Sequence, residues 1–176
     1  MADIDLISSL VRDVPDFPKP GVMFKDITPL IASPRGFAEA IAALVESSPR
    51  DIDVVVGMEA RGFIFAAPVA LALGVGFVPV RKPGKLPGKT FTETFALEYG
   101  HDTLAVHQDA IPQGGRALVI DDVLATGGTI SATSGLLKQL GAELVHVSVL
   151  MELGFLNGRA KLQAEGIDSC SAVLQA

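Results

Sequence analysis

Residues 119–129 read VIDDVLATGGT, a run that joins a buried strand, two adjacent carboxylates and a turn of small residues. The apolar residues 117–120 are typical of a buried parallel strand. Asp121 and Asp122 are therefore expected at its carboxyl end. In open α/β sheets, ligands bind in the crevice beyond this end of the strands. The run thus predicts an α/β fold with a ligand site beside the two aspartates.

The turn after the aspartates predicts an anion site. Thr126, Gly127, Gly128 and Thr129 precede a helical pattern that begins at residue 130 and offer backbone N–H groups with little side-chain bulk. Carboxylates repel phosphate, so the aspartates should meet hydroxyl groups or a metal ion while the turn holds the phosphate. A ribose 5-phosphate satisfies both halves. Two aspartates capping a helix before a Gly-Gly turn are the simpler alternative, and the run lacks the lysine of a P-loop.

The rest of the chain predicts an open, mostly parallel sheet flanked by helices. Apolar spacing predicts helices over 3–14, 36–47, 62–73 and 130–140, and strands over 53–58, 76–81, 103–107, 117–120, 143–150 and 170–174. A helix, a βαβ unit, further strands and a second βαβ unit follow one another, as in open α/β sheets. We expect the proline-rich segment 15–30 to be a structured loop and residues 1–176 to form one domain.

Charge and cysteine content argue against several classes of protein. The net charge of −6 and a pI of about 5.0 disfavour a nucleic-acid partner. The uncharged residues 62–80 are interrupted by prolines and glycines, which favours a buried helix and strand over a membrane span. Cys170 is the sole cysteine, and Asp3 and Asp5 stand where a signal peptide would be basic. We therefore expect a cytoplasmic protein without a membrane partner.

Two further segments carry positive charge. Arg61, in GMEARGF (57–63), starts a helix, where the helix dipole disfavours a cation. An anionic ligand is expected to compensate, and an ion pair with Glu59 or another acid is the alternative. Four cationic residues punctuate the glycine- and proline-rich loop 81–100, namely Arg81, Lys82, Lys85 and Lys89. This pattern favours a mobile segment that closes over a ligand with several phosphates, with a solvated surface loop as the alternative.

Phe24, in GVMFKDITPL (21–30), can offer a flat apolar face to a base. A loop phenylalanine more often anchors its loop to the core, so this signal is weak by itself. The three histidines show no metal-ligand spacing.

Together the motifs resemble the type I phosphoribosyltransferases, and in particular the branch of that family that acts on adenine. VIDDVLATGGT is similar to the family's phosphoribosyl pyrophosphate signature, and the narrower match comes from PGVMFKDITPL, GMEARGF, RKPGKLPG, LEYG and MELGFLNGR. The resemblance implies that fold, with residues 1–35 as a base-binding hood and 81–100 as a mobile catalytic loop, in a homodimer. It implies transfer of the 5-phosphoribosyl group from phosphoribosyl pyrophosphate to N9 of adenine, giving AMP and pyrophosphate in purine salvage.

The resemblance also implies roles for the residues that match the phosphoribosyl site. Asp121 and Asp122 would bind the ribose hydroxyls, close to a Mg²⁺ cofactor that the substrate mainly holds. The residues implied to hold the 5-phosphate are Ala125, Thr126, Gly127, Gly128 and Thr129. The residues implied to neutralise the pyrophosphate are Arg61, Lys82 and Lys85, with Arg81 assisting.

At the base, the resemblance implies that Phe24 stacks on adenine and Leu153 covers the other face. Main-chain groups of Met23 and Lys25 would read the edge of the base, and Glu98 would exchange a proton with the purine N7. One position departs from the family pattern, which has NGREKL where this chain has NGRAKL, so Ala160 replaces a glutamate. The departure puts an ion pair near Arg159 in doubt.

The residues also allow two alternatives. One is a phosphoribosyltransferase for hypoxanthine, guanine or xanthine, because main-chain recognition leaves little side-chain signature. The other is a regulatory protein that senses phosphoribosyl pyrophosphate or a purine without turnover.

Overall fold

The computed structural model describes residues 1–97 and 100–176. The helices in these ranges are α1 (Ile4–Ser9), α2 (Thr28–Ala32), α3 (Pro34–Glu46), α4 (Arg61–Leu73), α5 (Gly128–Leu140) and α6 (Gly158–Ala164), with a 3-10 turn at Gly154–Leu156. The strands are β1 (Arg12–Pro15), β2 (Met23–Asp26), β3 (Val54–Met58), β4 (Gly76–Val80), β5 (Thr90–Ala96), β6 (His101–His107), β7 (Arg116–Leu124), β8 (Glu143–Glu152) and β9 (Cys170–Gln175).

Five strands form one parallel sheet in the order β4-β3-β7-β8-β9. Its central strand, β7, carries Leu118 and Val119, both fully buried. A parallel strand covered on both faces is expected to be a continuous apolar run, which is what residues 117–120 provide. The predicted open, mostly parallel sheet flanked by helices is confirmed.

Two apolar layers cover the faces of this sheet. Successive side chains of a strand point to opposite faces, so Val55 and Leu118 pack beneath helices α1 to α4. Val56 and Val119 pack on the other side, beneath α5, α6 and the antiparallel hairpin of β5 and β6. The apolar run 62–80 forms α4, which lies in the first layer, and β4, which is an edge strand of the sheet. No helix in the described part of the chain is long and apolar enough to cross a membrane.

The N-terminal segment differs from its prediction. The helix expected over 3–14 ends at Ser9, and the chain continues as β1, which pairs antiparallel with β2 inside the expected loop 15–30. The pairing aligns Val14 with Phe24. Helical spacing of apolar residues cannot reveal a partner strand this distant in the sequence, and that pairing overrides the local pattern.

The segment 81–100 also contains structure that the prediction missed. Strand β5 alternates between half-buried and exposed side chains, with Phe91 and Phe95 turned inward and Thr92 and Thr94 outward. It pairs with β6 along its whole length. We call this β5–β6 hairpin the arm. The alternation is visible in TFTETFA, but the glycines and lysines before it led to a loop prediction for the whole segment.

Strand β7 is longer than predicted, and this difference opens the site. Asp121 and Asp122 lie within the strand rather than after it, because β7 stays paired with β8 as far as Leu124. Its pairing with β3 ends earlier, at Ile120 opposite Gly57. The two strands therefore diverge at the aspartates, and the charged side chains occupy the gap that β3 leaves as the chain turns into α4.

Candidate active site

A cleft of about 360 Å³ opens where β3 and β7 diverge. Its lining comes from separate parts of the chain, namely residues 22–25, 59–61 and 121–123, together with Ala125, Thr129 and Leu153. A smaller cavity of about 60 Å³ shares part of this lining and is enclosed by the turn between β7 and α5. The cleft thus brings together side chains that lie far apart in the sequence.

Asp121 and Asp122 form a buried acidic pair, with the residues 8% and 5% exposed. The backbone N–H of Asp122 donates to Asp121 Oδ1 at 2.9 Å. Burial, followed by the charge of Asp122, raises the pKa of Asp121 well above its ordinary value. The fold therefore disfavours the ionised form of Asp121.

One oxygen of this pair is left without a hydrogen-bond donor. Asp122 Oδ2 lies 2.8 Å from Arg61 Nε, but the contact lacks hydrogen-bond alignment. No donor from residues 1–97 or 100–176 makes an aligned hydrogen bond to this buried oxygen, although the charge of Arg61 lies beside it. Buried polar atoms normally have a partner, so an unpaired carboxylate oxygen at a cleft suits a ligand hydroxyl.

Helix α4 approaches the acidic pair closely because its second residue is Gly62. A Cβ at this position would stand 2.7 Å from Asp121 Oδ1 and 3.5 Å from the carbonyl oxygen of Ile120. Arg61, the first residue of the helix, is thereby brought over the carboxylates. In GMEARGF, Gly62 thus leaves the space that allows Arg61 to lie beside the carboxylates.

The turn between β7 and α5 has the features of the predicted anion site. Gly127 has a left-handed backbone with φ of 82°, and a Cβ there would lie 3.0 Å from the carbonyl oxygen of Gly158. Helix α5 begins at Gly128, and no described side chain caps its first turn. Its free N–H groups and the positive end of its dipole therefore face the small cavity. Residues 125–129 lie beside Asp121, as the sequence predicts.

Apolar side chains also line the cleft. Phe24 of β2 packs edge to face against Phe17, with ring centroids 5.1 Å apart, and the guanidinium of Arg61 lies 5.5 Å from the Phe24 centroid. Leu153 lines the same cleft. The ammonium group of Lys25 is 2.7 Å from an oxygen of Asp13, so an ion pair engages its side chain.

The positions of the predicted cations fall into two groups. Arg61 lies in the cleft, as predicted, and forms an ion pair with Asp122, an acid other than Glu59 that the alternative interpretation also allowed. Arg81 and Lys85 are outside the cleft lining, where both pair with the Glu59 carboxylate at 3.0 Å. Glu59 therefore holds Arg81 and Lys85 at the rim of the cleft. Glu59 was not predicted from the sequence as a site residue. Its position after a strand, two residues before Arg61, was the available signal.

Lys82, like Arg81 and Lys85, does not line the cleft. The ammonium group of Lys82 pairs with Asp102 of β6, on the arm. Glu98 lies outside the described residues, so its role stays a prediction. The predicted site residues that do line the cleft or its adjoining cavity are Met23, Phe24, Lys25, Arg61, Asp121, Asp122, Ala125, Thr126, Gly127, Gly128, Thr129 and Leu153.

The donor set fits a magnesium ion that the ligand mainly holds. Among residues 1–97 and 100–176, no cluster of three or more His, Cys, Asp or Glu side chains could hold a metal ion by itself. Asp121 and Asp122 nevertheless offer adjacent carboxylates with an unpaired oxygen. Mg²⁺ commonly binds one or two carboxylates and completes its shell with water and phosphate oxygens.

The doubt raised by Ala160 is resolved by the geometry of its neighbour. Arg159 contacts both oxygens of Glu152, with Nη2 at 2.5 Å from Oε2 and Nε at 3.0 Å from Oε1, and donates to the carbonyl oxygen of Cys170 at 2.6 Å. Hydrogen bonding from Arg159 lowers the pKa of Glu152. This ion pair links α6 to β8 and β9 without a glutamate at position 160.

The chain is similar to known phosphoribosyltransferases. Residues 25–168 match the phosphoribosyl transferase domain. An adenine phosphoribosyltransferase of Cutibacterium acnes is 65% identical over 170 residues, covering 97% of this chain and 96% of that protein.

Solved structures agree. The crystal structure of adenine phosphoribosyltransferase from Thermoanaerobacter pseudethanolicus is 44% identical, with a TM-score of 0.94, and the match covers 99% of this chain and 100% of that one. The enzyme of Saccharomyces cerevisiae, complexed with adenine and an imino-altritol bisphosphate, is 41% identical, with a TM-score of 0.90 and 97% and 98% coverage. The chain therefore belongs to the phosphoribosyl transferase family, within its adenine phosphoribosyltransferase branch.

Proposed function

We propose that this protein transfers the 5-phosphoribosyl group of phosphoribosyl pyrophosphate to N9 of adenine, giving AMP and pyrophosphate in purine salvage. Its 65% identity to an adenine phosphoribosyltransferase over nearly the whole chain supports this activity. The observation that carries the proposal is a single cleft lined both by Phe24 and Leu153 and by the two aspartates. Base and ribose can thus lie side by side.

The protein's contribution to the reaction is mainly positioning. N9 of adenine forms a bond to C1 of the ribose as the bond from C1 to the pyrophosphate oxygen breaks, and the leaving oxygen takes the bonding electrons. No protein nucleophile takes part, and the ribose passes through an oxocarbenium-like state, as in glycoside chemistry. Asp121 and Asp122 hold the ribose hydroxyls, and the turn 125–129 holds the 5-phosphate.

Positive charge at the other side of the ribose stabilises the leaving group. Arg61 is already in the cleft, and Lys82 and Lys85 of the segment 81–100 join it, with Arg81 assisting, when that segment moves over the ligand. A bound Mg²⁺ would add charge neutralisation at the pyrophosphate, close to the aspartates. Closure of the segment excludes water, which would otherwise hydrolyse the substrate.

Recognition of adenine is assigned to the apolar lining of the cleft. Phe24 stacks on one face of the base and Leu153 covers the other, while main-chain groups of Met23 and Lys25 read its edge. Glu98 exchanges a proton with N7 and takes the proton that the base loses as N9 bonds to C1. The hood formed by residues 1–35 supplies all of these contacts except Leu153 and Glu98.

We also propose a homodimer in the cytoplasm, with Mg²⁺ as the cofactor. Large apolar side chains such as Leu71, 83% exposed, and Phe155, 69% exposed, are suited to burial in an interface between two copies. A single, free cysteine, Cys170, fits a reducing compartment.

The activity is tested by incubating the protein with phosphoribosyl pyrophosphate, Mg²⁺ and each purine separately, and following nucleotide formation. AMP from adenine is expected, and Asp122→Asn serves as a matched variant with weakened phosphoribosyl binding. Product from guanine or hypoxanthine but not from adenine would reject the assignment. Binding of phosphoribosyl pyrophosphate without product from any base would instead favour a sensor.

A further inference from the structure

Glu59 has an unusual set of partners for a residue that lines the cleft. Its side chain is 9% exposed, and its two oxygens contact Arg81 Nε and Lys85 Nζ, both at 3.0 Å. The backbone N–H of Lys82 donates to the same carboxylate at 2.9 Å. Three contacts from the segment that follows β4 therefore converge on one acid.

These contacts fix where the cations stand before a ligand binds. Arg81 and Lys85 are themselves substantially exposed, so the protein surface alone would leave them free to move. Burial raises the pKa of Glu59, but the hydrogen bonds from the Lys82 amide, Lys85 and Arg81 outweigh it and lower that pKa. Glu59 is thus ionised at neutral pH and neutralises cations that the proposed reaction needs at the pyrophosphate.

A carboxylate in this position also opposes the ligand. Glu59 lines the same cleft as Arg61 and the aspartates, so its negative charge faces the space where the leaving group would lie. Pyrophosphate carries more charge and more acceptor oxygens than one carboxylate, and it can therefore displace Glu59 from both cations. The contacts of Arg81 and Lys85 with Glu59 are therefore expected to be weaker than their contacts with pyrophosphate.

We propose that Glu59 is a positioning residue that holds Arg81 and Lys85 at the rim of the cleft and exchanges them for the pyrophosphate group of the ligand. The inference rests on the proposed function, because it takes pyrophosphate as the incoming anion. In this exchange Glu59 keeps the cations ordered in the free protein and competes for them while product is bound. It thereby helps pyrophosphate to leave.

The proposed exchange predicts that removing the charge of Glu59 tightens the binding of pyrophosphate. A purely structural ion pair predicts unchanged or weaker binding. Glu59→Gln keeps the size of the side chain but removes its charge, so two cations become free and one repulsive charge disappears. Binding of inorganic pyrophosphate should therefore tighten by about 5- to 30-fold. Turnover should fall, because tighter binding slows product release.

The test is calorimetric titration of the whole protein with inorganic pyrophosphate and Mg²⁺. Glu143→Gln is the matched control, because it removes an exposed ion pair, with Arg116 at 2.9 Å, that is not part of the cleft lining. The control should bind pyrophosphate as the unmodified protein does. Unchanged or weaker binding by Glu59→Gln overturns the proposal, and tighter binding supports it.

A second measurement uses the unmodified protein, in case Glu59→Gln does not fold. The carboxyl carbon of Glu59 is followed by NMR against pH, with and without pyrophosphate. Loss of its cationic partners should raise the pKa of Glu59 on binding, and an unchanged or lower pKa overturns the exchange. Failure of the unmodified protein to form AMP would reject the proposed function, while the pyrophosphate-binding results would remain interpretable. Normal AMP formation, together with unchanged pyrophosphate binding by Glu59→Gln, would reject the exchange alone.

Discussion

Substitution of Gly62 by alanine is expected to damage the site through a single added methyl group. The new Cβ would stand 2.7 Å from Asp121 Oδ1, closer than side-chain packing tolerates. Asp121 is buried beside Gly62, so the methyl should displace its carboxyl group from the backbone N–H of Asp122. A change that normally strengthens a helix therefore acts here on the acidic pair.

The size of the effect follows from three contributions. Alanine in place of glycine inside a helix stabilises by about 1 kcal/mol. Overpacking at a buried position destabilises by about 1–3 kcal/mol, and loss of the hydrogen bond to Asp121 destabilises by about 0.5–1.5 kcal/mol. Gly62→Ala should thus lower the free energy of unfolding by about 2 kcal/mol and the midpoint of thermal unfolding by about 4–8 °C. Because the aspartates move, binding of phosphoribosyl pyrophosphate should weaken by about tenfold.

Thermal unfolding and calorimetric binding of phosphoribosyl pyrophosphate with Mg²⁺ measure both effects. Gly76→Ala is a matched control, because a Cβ at Gly76 meets no atom within 4 Å. The control should bind normally and unfold at the same temperature or slightly higher. If Gly62→Ala were as stable as the control and bound the ligand equally well, the packing of α4 on Asp121 could not be as described.

Four further changes test other parts of the site and fold. Asp121→Asn should raise the free energy of unfolding at neutral pH, because the folded state raises the pKa of Asp121 and thus disfavours its ionised form. The gain should shrink as the pH falls and Asp121 of the unmodified protein is protonated, and denaturation at several pH values measures this. Arg159→Met should lower stability at neutral pH, with a smaller loss in acid, because the fold lowers the pKa of Glu152 and the ion pair disappears as Glu152 is protonated; the same experiment checks it. Phe24→Ala should raise KM for adenine by about 5- to 150-fold, as expected for loss of about 1–3 kcal/mol of base stacking. Glu98→Ala should mainly lower kcat, and unchanged steady-state kinetics would reject its role in proton exchange with N7.

Local sequence patterns were sufficient for the sheet and for the polar lining of the cleft. Buried parallel strands are continuous apolar runs, and Asp121 with the turn 125–129 follows one of them directly. Both parts of this lining belong to a single run of chain, so no long-range contact had to be guessed. Arg61 was found for a similar reason, because it starts the helix after the neighbouring strand.

The parts that were missed depend on contacts between distant segments. The pairing of Val14 with Phe24, and of the arm strands, is a property of two segments together. The partners of Arg81 and Lys85 depend on Glu59, which precedes them by a whole helix and strand. Residue type alone gives their charge, but only the fold shows that the charge is already neutralised.

Because β3 diverges from β7, the two sides of the cleft should differ in how well they tolerate substitutions. The side that bears Asp121 remains hydrogen-bonded to β8, so altering its shape would disturb the central sheet. The side that bears Phe24 belongs to a two-stranded ribbon, a structure with little stability of its own. Directed evolution toward other bases should therefore find most of its useful substitutions at residues 22–25, while residues 121–129 can stay as they are.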